Sequence, residues 1–127
     1  MSNNILFAKS FNAGGAIVAN SIVKAGANDY DVLQADGSTS AAKLLGVTTE
    51  VASASGERVD VALCGVVDVK LGGTVARGDF VTSDSAGLGV SAAPSAGANA
   101  RTVGIAQISG VSGDVIPVYL VQGMVQG

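Results

Sequence analysis

At 127 residues the chain has room for one domain of ordinary size, and its formal charge of −3 argues against a phosphate-backbone ligand, which needs clustered Lys and Arg. Hydrophobic residues make up 48% of the chain, aromatics only 4% with no Trp, and charged residues 13% against a globular norm of about 25%. Low charge with plentiful Val, Ile and Leu excludes a disordered polymer and predicts a core of small side chains. The absence of His removes the commonest general base and metal ligand, and the lone Cys64 forbids an intrachain disulfide. No enzyme activity, cofactor, metal, nucleic acid or membrane is expected.

Residues 1–15 read as an N-terminal arm that carries Phe7 and Phe11, two of the few aromatics. This start lacks the basic and apolar regions of a secretory signal, so the chain is expected to stay in the compartment where it is made. Residues 16–127 read as one β domain. Apolar and polar residues alternate over short runs bounded by Gly, Ser, Asn and Asp, which predicts strands. In chain order they fall at 16–24, 30–35, 44–51, 59–63, 65–70, 79–82, 88–91, 102–108 and 116–120. The clearest is Val59, Val61 and Leu63 against Asp60 and Ala62. Turns are expected at Asp36-Gly37, Ser55-Gly56, Gly72-Gly73, Ala86-Gly87 and Ser112-Gly113, and one helical turn over 38–43. Short strands with Gly-rich turns predict an all-β barrel or sandwich.

An internal repeat organises the domain. Val23-Lys24-Ala25-Gly26 matches Val75-Ala76-Arg77-Gly78, and Asp36-Gly37 parallels Ala86-Gly87. Leu45-Gly46-Val47 parallels Val103-Gly104-Ile105, and Ser55-Gly56-Glu57 lies over Ser112-Gly113-Asp114. The halves run over about 16–65 and 66–123, and closure of one on the other would remove exposed strand edges. Residues 92–100, rich in Ala and centred near Pro94, read as an insertion in the second half and an exposed loop.

Chemistry-bearing patterns are weak. Cys64 follows an apolar strand with no His to activate it, and reads as a partly buried small hydrophobe. Asp29, Asp31 and Asp36-Gly37 lack the spacing of a calcium loop and read as turn residues. Asp60 and Asp68 read as strand carboxylates on solvent faces, able to act as an acid and base pair only if brought within about 5–10 Å. Tyr30 and Tyr119 are the two tyrosines available to an aromatic sugar platform. In the arm, Leu6, Phe7, Lys9 and Phe11 are the candidates for contact with a partner or a neighbouring subunit; the alternative is that the phenylalanines plug one end of the barrel.

The run Ala62-Leu63-Cys64-Gly65-Val66-Val67-Asp68-Val69-Lys70-Leu71-Gly72-Gly73-Thr74-Val75-Ala76-Arg77-Gly78-Asp79, continued by Val81 to Gly87, resembles the small head decoration, or capsid cement, proteins of tailed bacteriophages. Val103-Gly104-Ile105-Ala106 and the segment from Ser112-Gly113-Asp114 to Leu120 are similar to that family's closing strands. The resemblance covers 23–127 and leaves the arm unmatched. It implies a non-enzymatic homotrimer, made in the bacterial cytoplasm, that binds the major capsid protein on the outside of an expanded head and resists the pressure of packaged DNA. The alternative is a small adhesin or glycan-binding module displayed on a virion or cell.

Overall fold

The computed structural model describes residues 4–38, 42–49 and 53–127. The chain is all-β, with no helix among the described residues, and its strands form one nine-stranded sheet that curls into a small barrel. The strands are β1 (Asn4–Ala13), β2 (Ile22–Ala25), β3 (Asp31–Gln34), β4 (Leu44–Thr48), β5 (Arg58–Lys70), β6 (Phe80–Ser83), β7 (Gly89–Ser91), β8 (Asn99–Ala106) and β9 (Val115–Gln126). Of the helical turn expected over 38–43, residues 39–41 lie outside the described set.

Their order is β1-β3-β2-β4-β5-β9-β8-β6-β7, and β1 also pairs with β5, so the first five strands close into a ring. The other strands come back to β5 as well. A parallel bridge from Leu71 to Gly89 returns β7 to the residue just after β5. The expected strands at 59–63 and 65–70 are therefore one continuous strand shared by both rings. Gly65 sits at the junction with φ of 101°, a left-handed conformation that side chains with a Cβ rarely adopt.

The two halves repeat in register. The β2–β4 pairs Ile22↔Val47 and Val23↔Gly46 recur 58 residues on as Phe80↔Ile105 and Val81↔Gly104 in β6–β8. The β4–β5 pair Val47↔Ala62 recurs as Ile105↔Tyr119, with an interval of 57 on the second member. The bridge Ile17↔Ser53 recurs as Val75↔Gly110. Likewise the β1–β5 pair Phe11↔Val59 recurs as Val69↔Ile116 in β5–β9.

Four sequence expectations change under this register. Residues 4–13 of the expected arm form β1, which stands to the first half as the end of β5 stands to the second. Ile17-Val18-Ala19-Asn20, not Val23 to Gly26, is the counterpart of Val75-Ala76-Arg77-Gly78; Asn20 and Gly78 share positive φ angles of 55° and 91°. The turn between β6 and β7 is one residue shorter than that between β2 and β3, and the loop at 92–100 restores that residue, so it is hardly an insertion. Short Val-Ala-Gly strings match at many offsets, whereas hydrogen-bond register admits one. By the same register, Asp36-Gly37 follows β3 whereas Ala86-Gly87 precede β7, so they are not counterparts.

Packing follows the rings. One core cluster comprises Ala13, Ile17, Val23, Val32, Val59 and Val61, inside the first ring. The larger cluster takes in Leu71, Val75, Val81, Ile116 and Val118 of the second ring, together with Ile22, Leu44, Val47 and Ala62, which lie between the halves. The close approaches of β4 to β5 and of β8 to β9 demand glycine: a Cβ on Gly46 would strike the Ala62 carbonyl oxygen and Val61 Cγ1, and one on Gly104 would strike the Tyr119 oxygen and Val118 Cγ1. The Gly46 and Gly104 environments are the same contact made twice.

Candidate functional site

β1 positions all four side chains singled out at the N-terminus, because it runs antiparallel along β5 from Asn4↔Val66 to Asn12↔Arg58. Strict alternation would place Leu6 and Phe7 on opposite faces. Register shifts on either side of Phe7 break that alternation, and both side chains emerge, 79% and 56% exposed. They plug nothing. Phe11, by contrast, is half-buried and packs against the first ring's core.

Lys9 and Phe11 line a shallow groove of about 310 Å³ with Ser10, Asn12, Tyr30 and Arg58. The Lys9 ammonium lies 5.1 Å from the Tyr30 ring centre and 5.9 Å from that of Phe11, within cation–π range. Ser10 Oγ donates to Asp60 Oδ1 at 2.9 Å on the adjoining strand. Tyr30 is held at a φ of 65° in the turn before β3, so its ring projects 65% exposed. The groove is thus a basic and aromatic ledge flanked by the apolar pair Leu6 and Phe7.

A second apolar surface was not singled out as such from the sequence. Phe80, Ile105 and Tyr119 are cross-strand neighbours on β6, β8 and β9, and Phe80 and Tyr119 are 49% and 47% exposed. The 58-residue register is the signal that could have found it, since it places these residues opposite the buried trio Ile22, Val47 and Ala62.

The remaining candidates separate. Cys64 is exposed on β5 opposite Phe7, rather than partly buried, because its side chain faces away from both ring interiors. Asp60 is exposed but Asp68 is 5% exposed, so the expectation of two solvent-facing carboxylates holds for one only. Asp68 sits next to the crossing between halves, two residues before Lys70, whose N–H donates to the Asn20 carbonyl at 2.9 Å. Eight residues of strand put Asp60 and Asp68 roughly 25 Å apart along β5, too far for an acid and base pair. Asp31 accepts from Asn28 and Asp36 pairs with Lys24 at 2.9 Å. Among the described residues no three His, Cys, Asp or Glu gather where they could hold a metal. Tyr30 and Tyr119 lie on different halves. Pro94 is half-buried in a loop whose residues 95–98 are exposed, and the C-terminal Gly127 seats against the Pro94 and Ser95 carbonyls.

No protein-family model matches the chain, and no curated protein matches it. Among solved structures, the chain is similar to the N base of the head fiber gp8.5 of bacteriophage phi29. The TM-score is 0.65 with 13% sequence identity, over 95% of this chain and 98% of that one. At that identity the likeness is one of fold, and it extends over nearly the whole of both chains.

Proposed function

We propose that this protein is a structural component of a tailed-phage virion that sits on the outer surface of the expanded head, binds the major capsid protein and stabilises the shell against packaged DNA. The observation that carries the reading is the fold shared, end to end, with the base of a phage head fiber. The cement-like segment from Ala62 to Gly87 points to the same class of partner. In this reading the role is mechanical and no residue performs a reaction.

The chemistry of the surface suits that work. A low-charge β protein offers broad, dry contact rather than a concave ligand site. Leu6, Phe7 and Lys9 form the capsid-facing edge, two apolar side chains beside a cation, and the loop past Pro94 projects outward. As a homotrimer the protein would engage the shell three times at once, so each contact could be weak while the total is firm.

Co-sedimentation with expanded heads that lack the protein tests this. Saturable binding and a higher melting temperature of the heads are expected, and substitution of Leu6→Asp with Phe7→Asp should reduce occupancy at least tenfold without unfolding the chain. Absence of binding by the folded wild-type protein would overturn the proposal. Deleting β1 is the wrong test, because that strand closes the first ring.

A further inference from the structure

The first ring carries groups that its closure does not call for. The register that relates the halves sets Lys9 over Val67 and Phe11 over Val69, by the pairs Lys9↔Val61 with Val67↔Val118 and Phe11↔Val59 with Val69↔Ile116. In the same way Arg58, opposite Asn12, corresponds to Val115, opposite Lys70. Tyr30 corresponds to Gly87, because the Gly26 N–H donates to the Asp31 carbonyl as the Asp84 N–H donates to the Leu88 carbonyl. The second ring thus closes with Val67, Val69, Val115 and Gly87 where the first holds two cations and two aromatic rings.

The exchange at Tyr30 runs against backbone preference. Tyr30 and Gly87 both have positive φ, 65° and 78°, a region that glycine enters freely and a bulky side chain does not. With its ring 65% exposed, the tyrosine buries little in return. Its ring is instead steadied from one side by the Lys9 ammonium, 5.1 Å from the ring centre. An aromatic side chain kept in a strained conformation and still presented to solvent points to contact with a ligand rather than to packing.

The groove beside that ring has the donors of an anion site. Lys9 and Arg58 both line it, and among the described residues the ion pair is Lys24–Asp36, so neither cation is neutralised by a salt bridge. Of the adjoining acids, Asp31, Glu57 and Asp60 already accept hydrogen bonds from Asn28, the Ala54 N–H and Ser10. Asp29, next to Tyr30, is the exception.

We infer that the ledge of Lys9, Phe11, Asn12, Tyr30 and Arg58 is a binding site for an anionic saccharide, a sugar that carries a carboxylate or a phosphate. The Arg58 guanidinium, a planar fork of donors, and the Lys9 ammonium take the anionic group. The open part of the Tyr30 ring takes the apolar C–H face of the sugar, and the Asn12 amide takes its hydroxyls. At about 310 Å³ the groove lies at the small end of ligand sites, and its shallowness suits a short stretch of a longer glycan chain rather than an enclosed small molecule. The inference goes beyond the proposed function, which leaves Tyr30 and Arg58 unused, and does not rest on it.

An array of oligosaccharides probed with the full chain tests the site, with uronic-acid, sialic-acid, phosphorylated and neutral members. Saturable binding to acidic members is expected, at least tenfold tighter than to neutral ones of the same size, and the stronger of the carboxylated and phosphorylated sets identifies the anionic group. Arg58→Ala should weaken that binding at least tenfold. Tyr30→Gly should abolish it while the melting temperature holds or rises, because glycine relieves the backbone; if that variant does not fold, Tyr30→Asn, which tolerates positive φ, reads the same contact. Full binding by the folded Tyr30 variant would overturn the inference. So would a folded wild-type chain that binds no acidic member, or one that binds inorganic phosphate as tightly as any sugar. Both variants should co-sediment with heads as wild type does, so the capsid reading and this one fail separately.

Discussion

The two rings are built on one hydrogen-bond register and differ chiefly in which outward face is covered. Inside the rings the counterparts Val23 and Val81 are equally buried, as are Ile17 and Val75, whereas on the outward face Ile22 is 0% and Phe80 49% exposed. A repeat unit needs its interior filled to fold at all, so interior positions are constrained alike in both halves. The outward face is constrained by whatever lies against it, and only the first half has a neighbour within the chain. Divergence on that face is therefore a record of different neighbours rather than of a different fold.

The largest effect expected from this comparison is at the close approaches of β4 to β5 and of β8 to β9. Gly46→Val and Gly104→Val should each cost at least about 3 kcal/mol, since the new side chain meets backbone in both rings. Thermal denaturation should find both variants unfolded or strongly weakened; tolerance of one and not the other would break the equivalence of the rings. Next comes the outward face itself. Ile22→Ala should cost about 2–5 kcal/mol by leaving a cavity between the halves, while Phe80→Ala should change the stability of the single chain by less than about 1 kcal/mol. Urea titration at a concentration too low for self-association would separate them, and equal losses would refute the asymmetry.

Smaller effects sharpen the same comparison. Glu57 Oε1 accepts the Ala54 N–H at 2.6 Å, and Asp114 Oδ2 accepts the Val111 N–H at 3.0 Å in the matching turn. Replacing either acid by Ala should cost about 1 kcal/mol, by nearly the same amount in the two rings, as hydrogen bonds to charged groups in exposed turns do. Smallest is Lys24–Asp36, a 2.9 Å ion pair with Asp36 64% exposed and no counterpart at Thr82 in the second half. Asp36→Asn should cost under about 1 kcal/mol, and the difference should vanish in high salt.

Much of this architecture was legible in the residues. Alternation at Val59, Val61 and Leu63 marks a strand wherever it occurs, because period two is a property of the pleated backbone itself. The match of Leu45-Gly46-Val47 to Val103-Gly104-Ile105 is legible too, since the glycine is demanded by a local crossing of two strands. The candidates Leu6, Phe7, Lys9 and Phe11 were legible as outliers, but their division into three exposed residues and a half-buried one was not. That division depends on bulges against β5, a strand more than fifty residues away in sequence.

Sequence alone determined the all-β class, most strand positions, the turns at Ser55-Gly56, Ala86-Gly87 and Ser112-Gly113 though not one at Asp36-Gly37, and the existence of two similar halves, for all of these follow from neighbours a few residues apart. Only the tertiary structure decided that β1 completes the first ring, that 59–63 and 65–70 are one shared strand, and that Ile22 is buried where Phe80 is not. An apolar residue on the outer face of a strand looks the same in sequence whether another layer covers it or solvent does. The difference lies in contacts between distant parts of the chain, which no local pattern encodes.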